Sequence, residues 1–563
     1  MQVSHEKWLQ ILHRRGPDSC QEQHLTTEYG TLDLFGSVLS MRGSLTTQPI
    51  TDQHGNCLIW NGELFGLRDD ASADVSDPGV SDTQLVLDWL SVTCDADHVM
   101  RILARIEGPY ALIYYHRASQ RLYFARDPLG RRSLLLSAGS AQHTEHVADQ
   151  DEEGEGDLPP PLLDRLSSTA LNMVMLSSVK VGDRYLALAF RNNLAALVNC
   201  LICSCQWFDV DTRGVYCLTL GHVLHLSLAP WSSTTKSWER DQSAALTRVN
   251  PQQELFRLLS DAVRRRVRVT AVSPDSAPVL VLFSGGLDST VLAALVDLHL
   301  PRNCPIDLIN VAFPSTPRAT TGPSGQLISF DTAPDRRAAV MSLTDLRAAS
   351  PHREWRLIFG DISAEELQQY REHVIQLMYP ALTLMDLSIS ASLWFAARGQ
   401  GYIYQAEQSA NQAMYRSTAR IVLSGLGADE CLGGYSRHRT AARRSELDLI
   451  RELERDVTRL WYRNCGRDDR LISDHGRELR IPFLDERVMT YLTSLPVNDR
   501  MNLKEAAGVG DKKLLRQLAL SLGLKHSAQL AKRAIQFGSN IARLTKEQNG
   551  TSKRAIKGAD KIK

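Results

Sequence analysis

Two short glycine-bearing segments carry the residue types best suited to chemistry. The first, Ser284-Gly285-Gly286-Leu287-Asp288-Ser289, follows the apolar run Pro278 to Phe283 and leads into another apolar stretch, Thr290 to Leu298. A strand, a glycine loop and a helix in that order form a cradle for an anion. Glycine lets the backbone approach phosphate closely, the helix N-terminus offers free N–H groups, and Ser284 and Ser289 add hydroxyl donors. Asp288 would repel phosphate unless it holds Mg²⁺. No lysine lies inside the loop, so the pattern is not G-x-x-x-x-G-K-[ST] and lacks that motif's apparatus for γ-phosphate transfer. The plain alternative for these residues is a tight turn with a helix cap. The second segment, Ile421 to His438 (IVLSGLGADECLGGYSRH), again runs from a strand into a glycine-rich loop, with Asp429 and Glu430 just beyond.

Something must hold these loops. Strand-like runs at Pro278 to Phe283, Ile306 to Phe313 and Arg420 to Gly425 alternate with helical ones, which predicts a parallel sheet with crossover helices. Ligands of such sheets bind beyond the carboxyl ends of the strands. The domain starts with a helix that has Asn250 as N-cap, Pro251 at its first position, and Leu255, Leu258, Leu259, Val263 and Val267 on one face. Upstream, short β-rich segments continue to Trp231 and predict a separate domain, interrupted by a surface loop at the acidic run Asp149 to Pro161. The organisation expected is a first domain over 1–231, a linker over 232–250, a second domain over 251–545 and a basic tail over 546–563. The Ser-, Thr-, Pro- and Gly-rich segment 314–334 reads as an insertion in the second domain.

Composition narrows the function classes. With 563 residues, 43% of them apolar, the chain can bury several cores, and Lys+Arg and Asp+Glu both number 64. Zero net charge provides no global field for nucleic acid or an anionic membrane, so neither is an expected partner. The start has no apolar core of a signal peptide, and no apolar run is long enough for a membrane span, so a cytoplasmic protein is expected. Ten cysteines are too sparse for a disulfide framework. Cys200, Cys203, Cys205 and Cys217 could offer thiolates to zinc, but the spacing lacks a second C-x-x-C pair, and small buried hydrophobes are the simpler reading.

The loop SGGLDS resembles the pyrophosphate loop of the nucleotide pyrophosphatase superfamily, whose members bind ATP and release pyrophosphate. The segment at 421–438 is similar to the corresponding motif of the asparagine synthetase family. GRDDR (Gly466 to Arg470), IPFLD (Ile481 to Asp485), KKLLR (Lys512 to Arg516) and AKRAIQFGS (Ala531 to Ser539) follow in that family's order. The resemblance implies an ATP site at Phe283, Ser284, Gly285, Gly286, Asp288, Ser289, Val311, Ser424 and Gly425. It also implies Mg²⁺ on Asp288 and Asp429, and Lys532 as a catalytic lysine neutralising the departing pyrophosphate. In the first domain HRRGPDS (His13 to Ser19), WNGELF (Trp60 to Phe65), SDTQLVL (Ser81 to Leu87) and RDPLGRRSLL (Arg126 to Leu135) resemble the family's glutaminase half. That half is an α-β-β-α sandwich, and Arg42, Asn61, Gly62, Glu63 and Asp82 would hold glutamine, although Asn-Gly is equally a hairpin turn.

The fold class expected is therefore α/β: a glutaminase-like sandwich lacking its first strand, then a pyrophosphate-loop parallel-sheet domain. Two departures bear on function. The family's glutaminase uses an N-terminal cysteine, whereas position 2 is Gln2 and the first cysteine is Cys20, after the RGPD motif. The chain opens directly in an expected helix, Trp8 to Arg14. Leu426 stands where asparagine synthetases carry a glutamate, and leucine cannot move a proton. The leading expectation is an ATP-dependent amide ligase that adenylates a carboxylate and lets ammonia displace AMP. Its small-molecule partners would be aspartate and glutamine or ammonia, with a homo-oligomer left open. The alternative is a nucleotide-binding pseudoenzyme serving as a scaffold or regulator. A tRNA-modifying role is disfavoured by the zero net charge and the glutaminase-like half.

Overall fold

Strand Cys57–Gly62 shows how alternation builds the first unit. Cys57 and Ile59 turn into a core between two sheets, whereas Leu58 and Trp60 turn into a second core beneath two helices. The computed structural model describes residues 13–542 except 69–78, 93–94, 141–158, 160, 163–170, 178–187, 192–206, 221–224, 233–249, 269–275, 315–329 and 406–412. Cys200, Cys203 and Cys205, residues 8–12 of the helix expected over Trp8 to Arg14, most of the acidic run, the linker and the insertion, and the basic tail lie outside the described residues; His13 and Arg14 are helical.

Two compact units account for the described chain: residues 1–236, 379–381 and 459–476 make the first, and 237–378, 382–458 and 477–563 the second. In the first unit the described strands pair antiparallel. One six-stranded sheet runs in the order Ser19–Thr26, Thr31–Val38, Leu188–Arg191, Leu171–Ser177, Leu135–Ser140, Trp207–Asp209. The other runs His225–Pro230, Gly214–Thr219, Arg121–Arg126, Tyr110–His116, Cys57–Gly62, Ile50–Thr51. Helices Asp82–Leu90 and Ala96–Arg105 cover the outer face of this second sheet through Val86, Leu87, Leu90, Val99 and Leu103. These layers form the α-β-β part of the expected sandwich.

Two motifs of the first unit fasten it. Arg126 is fully buried and donates to the carbonyls of Arg132, Val210, Gly130 and Trp461. Asp469, in the stretch that resembles GRDDR, pairs with Arg132 at 3.3 Å and accepts from the Ser133 amide at 3.1 Å. Arg470 donates to Ser133 Oγ at 2.8 Å. Buried guanidinium groups need such acceptors, because an unmatched charge in an apolar interior is costly.

In the second unit the helix read from Asn250 onward spans Pro251–Val267, and Asn250 Oδ1 accepts from the Gln252 amide at 2.9 Å. The seven-stranded sheet runs Tyr415–Arg416, Gln400–Ile403, Trp355–Asp361, Ile306–Ala312, Val279–Leu282, Ile421–Leu423, Glu478–Arg480. Its last five strands are parallel and its first two antiparallel. Chain order leaves Val279–Leu282 to one side through Ile306–Ala312 and Trp355–Asp361, then returns to the other side at Ile421–Leu423. The order therefore reverses beside Val279–Leu282, and an open α/β sheet has its ligand crevice at such a point.

Candidate functional site

Both glycine loops leave the carboxyl ends of the two strands that flank this reversal. Strands Val279–Leu282 and Ile421–Leu423 are in register, Val281 opposite Leu423, so the loops after them are neighbours by construction. Phe283 extends the first strand, donating to the Ile309 carbonyl, and Asn310 Nδ2 donates back to its carbonyl at 3.0 Å. Gly285 has φ +72°, and a Cβ there would lie 2.2 Å from the Ala339 amide nitrogen in helix Pro334–Ala349. Only glycine fits that close packing in a left-handed conformation. Gly286 caps helix Leu287–His299, and a Cβ on it would approach nothing but Ser284 Oγ, at 3.2 Å. That open side, with uncapped N–H groups beside it, suits a phosphate. Ser289 Oγ is turned back onto the Gly286 carbonyl, and Val311, in the adjacent strand, is buried. Ser424 Oγ accepts from the Leu426 amide, and a Cβ on Gly425 would stand 3.0 Å from the Asp288 Cβ.

The structure brings Asp288, Asp429 and Lys532 together and adds two residues that sequence reasoning missed. Lys512 Nζ lies 2.6 Å from Asp288 Oδ2 and 2.7 Å from Asp429 Oδ1. Lys532 Nζ lies 3.6 Å from Asp429 Oδ2 and 4.2 Å from the ring centre of Tyr435. Tyr435 donates to Glu430 Oε1 at 2.6 Å, and Glu430 Oε2 accepts from the Gly427 amide at 3.1 Å. Arg437 stacks on the same ring at 4.0 Å and pairs with Asp456 at 2.6 Å, which also holds His438. The only sequence signals for Lys512 and Tyr435 were the KKLLR and GGY stretches.

Electrostatics follow from burial and these partners. Burial pushes Asp429 up, but the Lys512 ammonium, then Lys532, outweigh it and leave its pKa below the ordinary value. Burial pushes Asp288 up, with Lys512 opposing and Asp429 reinforcing. Lys512 is lowered by burial but raised further by the two carboxylates, so it remains an ammonium. Glu430 is pushed up to about 7 by burial and then by Asp429. Tyr435 is held well above its ordinary value by burial and by Glu430.

The site fits a divalent cation carried by a nucleotide. Asp288 Oδ1 is a buried oxygen with no hydrogen-bond donor, and Asp429 Oδ1 is a buried oxygen facing the Lys512 ammonium at 2.7 Å. Mg²⁺ needs few protein oxygens when phosphate and water supply the rest. No group of three or more metal-ligating side chains occurs among the described residues.

Comparison with known proteins agrees with this architecture. The asparagine synthase family profile matches residues 254–451 and 441–543, and a glutamine amidotransferase domain profile matches 38–147. The chain is 33% identical to asparagine synthetase domain-containing protein 1 of Bos taurus, over 96% of this chain and 93% of that one. The chain belongs to the asparagine synthetase family. The Mus musculus protein of the same name is 34% identical over 97% of this chain and 95% of its own. A putative asparagine synthetase [glutamine-hydrolyzing] 1 of Methanocaldococcus jannaschii is 29% identical over 55% of this chain and 54% of its own. Among solved structures, the glutamine phosphoribosylpyrophosphate amidotransferase of B. subtilis matches at 12% identity and TM-score 0.23, over 53% of this chain and 61% of that one, too low to bear on the fold.

Within the asparagine synthetase family's amidotransferase half, the residues expected around glutamine converge in part. Arg42 Nη2 lies 3.9 Å from Asp82 Oδ2, which accepts from the Leu64 amide at 3.3 Å. Arg42 Nε and Nη2 are buried without a hydrogen-bond acceptor, donors that suit a carboxylate. Asn61 and Gly62 end strand Cys57–Gly62 and pair with Ala111 and Tyr110, so they form no two-residue hairpin turn. A Cβ on Gly62 would meet the Pro109 carbonyl at 2.7 Å. Glu63 is buried, its amide bonded to the Pro109 carbonyl. Cys20 lies in edge strand Ser19–Thr26, and burial followed by Glu22 raises its thiol pKa, the opposite of a nucleophile's requirement. No described helix is long and apolar enough to cross a membrane.

Proposed function

We propose that the second unit is an ATP-dependent, amide-forming ligase of asparagine synthetase type, acting in the cytoplasm on an aspartate-like acid. The observation that carries it is the meeting of Asp288 and Asp429 with Lys512 and Lys532 where the sheet order reverses. Loop residues Ser284 to Ser289 would receive the phosphates on backbone N–H groups, and Asp288 and Asp429 would hold Mg²⁺. The bound ion supplies charge neutralisation at the phosphates. The acid's carboxylate attacks the α-phosphorus of ATP, the bond to pyrophosphate breaks, and ammonia then attacks the acyl carbon and expels AMP. Pyrophosphate leaves with negative charge, so ammonium groups fixed beside it favour the step. Lys512 and Lys532 are the groups in position. In the first unit Arg42 would take the α-carboxylate of glutamine, with Asp82 and Glu63 near its ammonium.

A second reading rests on Leu426. Loss of a positioned acid or base typically costs about 10²–10⁴ in rate, so a nucleotide-binding pseudoenzyme shares every binding feature above. Aspartate-dependent exchange of labelled pyrophosphate into ATP separates the two. Exchange that Asp288→Ala abolishes supports the ligase; exchange at background in both chains, with ATP still bound, favours the pseudoenzyme.

A further inference from the structure

Lys512 occupies the place a cation would take between two carboxylates. Its backbone sits at φ +52°, a left-handed conformation that side-chain-bearing residues rarely adopt. Its amide donates to the Leu432 carbonyl at 3.0 Å, tying it to the end of helix Ala428–Leu432 that carries Asp429. Its carbonyl accepts from the Arg516 amide at 2.9 Å in the first turn of helix Lys513–Ser521. The side chain is 3% exposed, so its stem is packed and its ammonium reaches only inward. Two carboxylates are thus matched by two ammonium groups, Lys512 at contact distance and Lys532 at 3.6 Å.

A free divalent ion reaching this pair meets a bound cation that the backbone holds in place. A metal arriving on a polyphosphate brings negative oxygens that give the ammonium new partners, so both cations fit at once. We propose that Lys512 is a resident counter-cation that bars free divalent metal from Asp288 and Asp429 and admits it only together with nucleotide phosphate. The proposal rests on the reading above only in taking those two carboxylates as the metal's protein ligands.

The test is a titration of the full chain with Mn²⁺, the free ion followed by its paramagnetic resonance, with and without a non-hydrolysable ATP analogue. The unaltered chain should bind Mn²⁺ alone weakly and Mn²⁺ with the analogue well. Lys512→Met and Lys512→Gln should bind Mn²⁺ alone at least about tenfold more tightly, a gain of about 1.4 kcal/mol. Lys512→Arg should behave as the unaltered chain, and Asp288→Ala placed on Lys512→Met should remove the gain. Equal free-metal affinity in the unaltered, Met and Gln chains, or a gain that survives Asp288→Ala, overturns the proposal. If neither neutral variant folds, the unaltered chain decides: tight Mn²⁺ binding without nucleotide that Asp288→Ala abolishes overturns it, and weak binding indifferent to Asp288→Ala supports it. A metal gain in Lys512→Met with no nucleotide binding in any chain would remove the ligase reading and overturn admission with nucleotide phosphate, while supporting the barring of free metal by Lys512.

Discussion

Replacing Tyr435 separates what its ring does from what its hydroxyl does. Tyr435→Phe deletes the donor that lies 2.6 Å from Glu430 Oε1, and Glu430 is 3% exposed, so water cannot easily take over. Leaving that buried carboxyl oxygen short of a donor should cost about 2 kcal/mol of stability. Tyr435→Leu loses the ring as well, against which Lys532 sits at 4.2 Å and Arg437 at 4.0 Å. Each cation–ring contact adds about 1 kcal/mol, so Tyr435→Leu should be about 2 kcal/mol worse than Tyr435→Phe. If the ring keeps Lys532 beside Asp429, losing it should slow pyrophosphate exchange about tenfold, about 1.4 kcal/mol of barrier. The assays are thermal unfolding and pyrophosphate exchange on the same preparations. Tyr435→Phe should stay within about threefold of the unaltered exchange rate, or about 0.7 kcal/mol, and Tyr435→Leu on a Lys532→Ala background should slow it no further. Equal exchange in well-folded Phe and Leu chains would refute the reasoning.

The remaining expectations concern three positions. Glu430 is pushed up to about 7 from an ordinary 4.5, so its proton contributes stability below about pH 4.5 that is lost as pH rises through about 7, about 3 kcal/mol in all. Glu430→Gln should therefore gain in melting temperature relative to the unaltered chain between pH 5 and pH 8, and a constant difference would contradict the assigned shift. Asp469→Ala should destabilise the first unit by about 3–5 kcal/mol by leaving Arg132 without this carboxylate, and Arg132→Met added to it should recover part of the loss in calorimetry. Additive losses would contradict a pairwise ion contact. Leu426→Glu should raise aspartate-dependent exchange by about 10²–10⁴ if the missing acid limits it; no rise would locate the limit elsewhere.

What the sequence disclosed depended on distance along the chain. The cradle at Ser284 to Ser289 was legible because strand, loop and helix lie within about twenty consecutive residues, where periodicity and glycine placement speak directly. The parallel sheet of the second unit followed from the same local patterns, whereas the sandwich of the first was implied by the family resemblance. Lys512 was not legible as a site residue, because nothing near position 512 says that its ammonium lies against a carboxylate 224 residues earlier. Tyr435 sat inside a recognised stretch, but its service to Lys532 depends on a turn in the chain almost a hundred residues later. GRDDR could be read as a family feature without its purpose: Asp469 meets Arg132 across 337 residues, and the contact secures the first unit.

The stretch 459–476 has a practical corollary for anyone taking the molecule apart. A protease that nicks the chain once near residue 236 cannot deliver the first unit whole, since the amino-terminal piece departs without the Asp469 carboxylate that meets Arg132 and the Ser133 amide. The carboxyl-terminal piece inherits Arg470, a buried guanidinium stripped of its serine. Grafting the amino-terminal half onto a relative's carboxyl-terminal half meets the same obstacle, because the borrowed stretch has to match a host it did not evolve with.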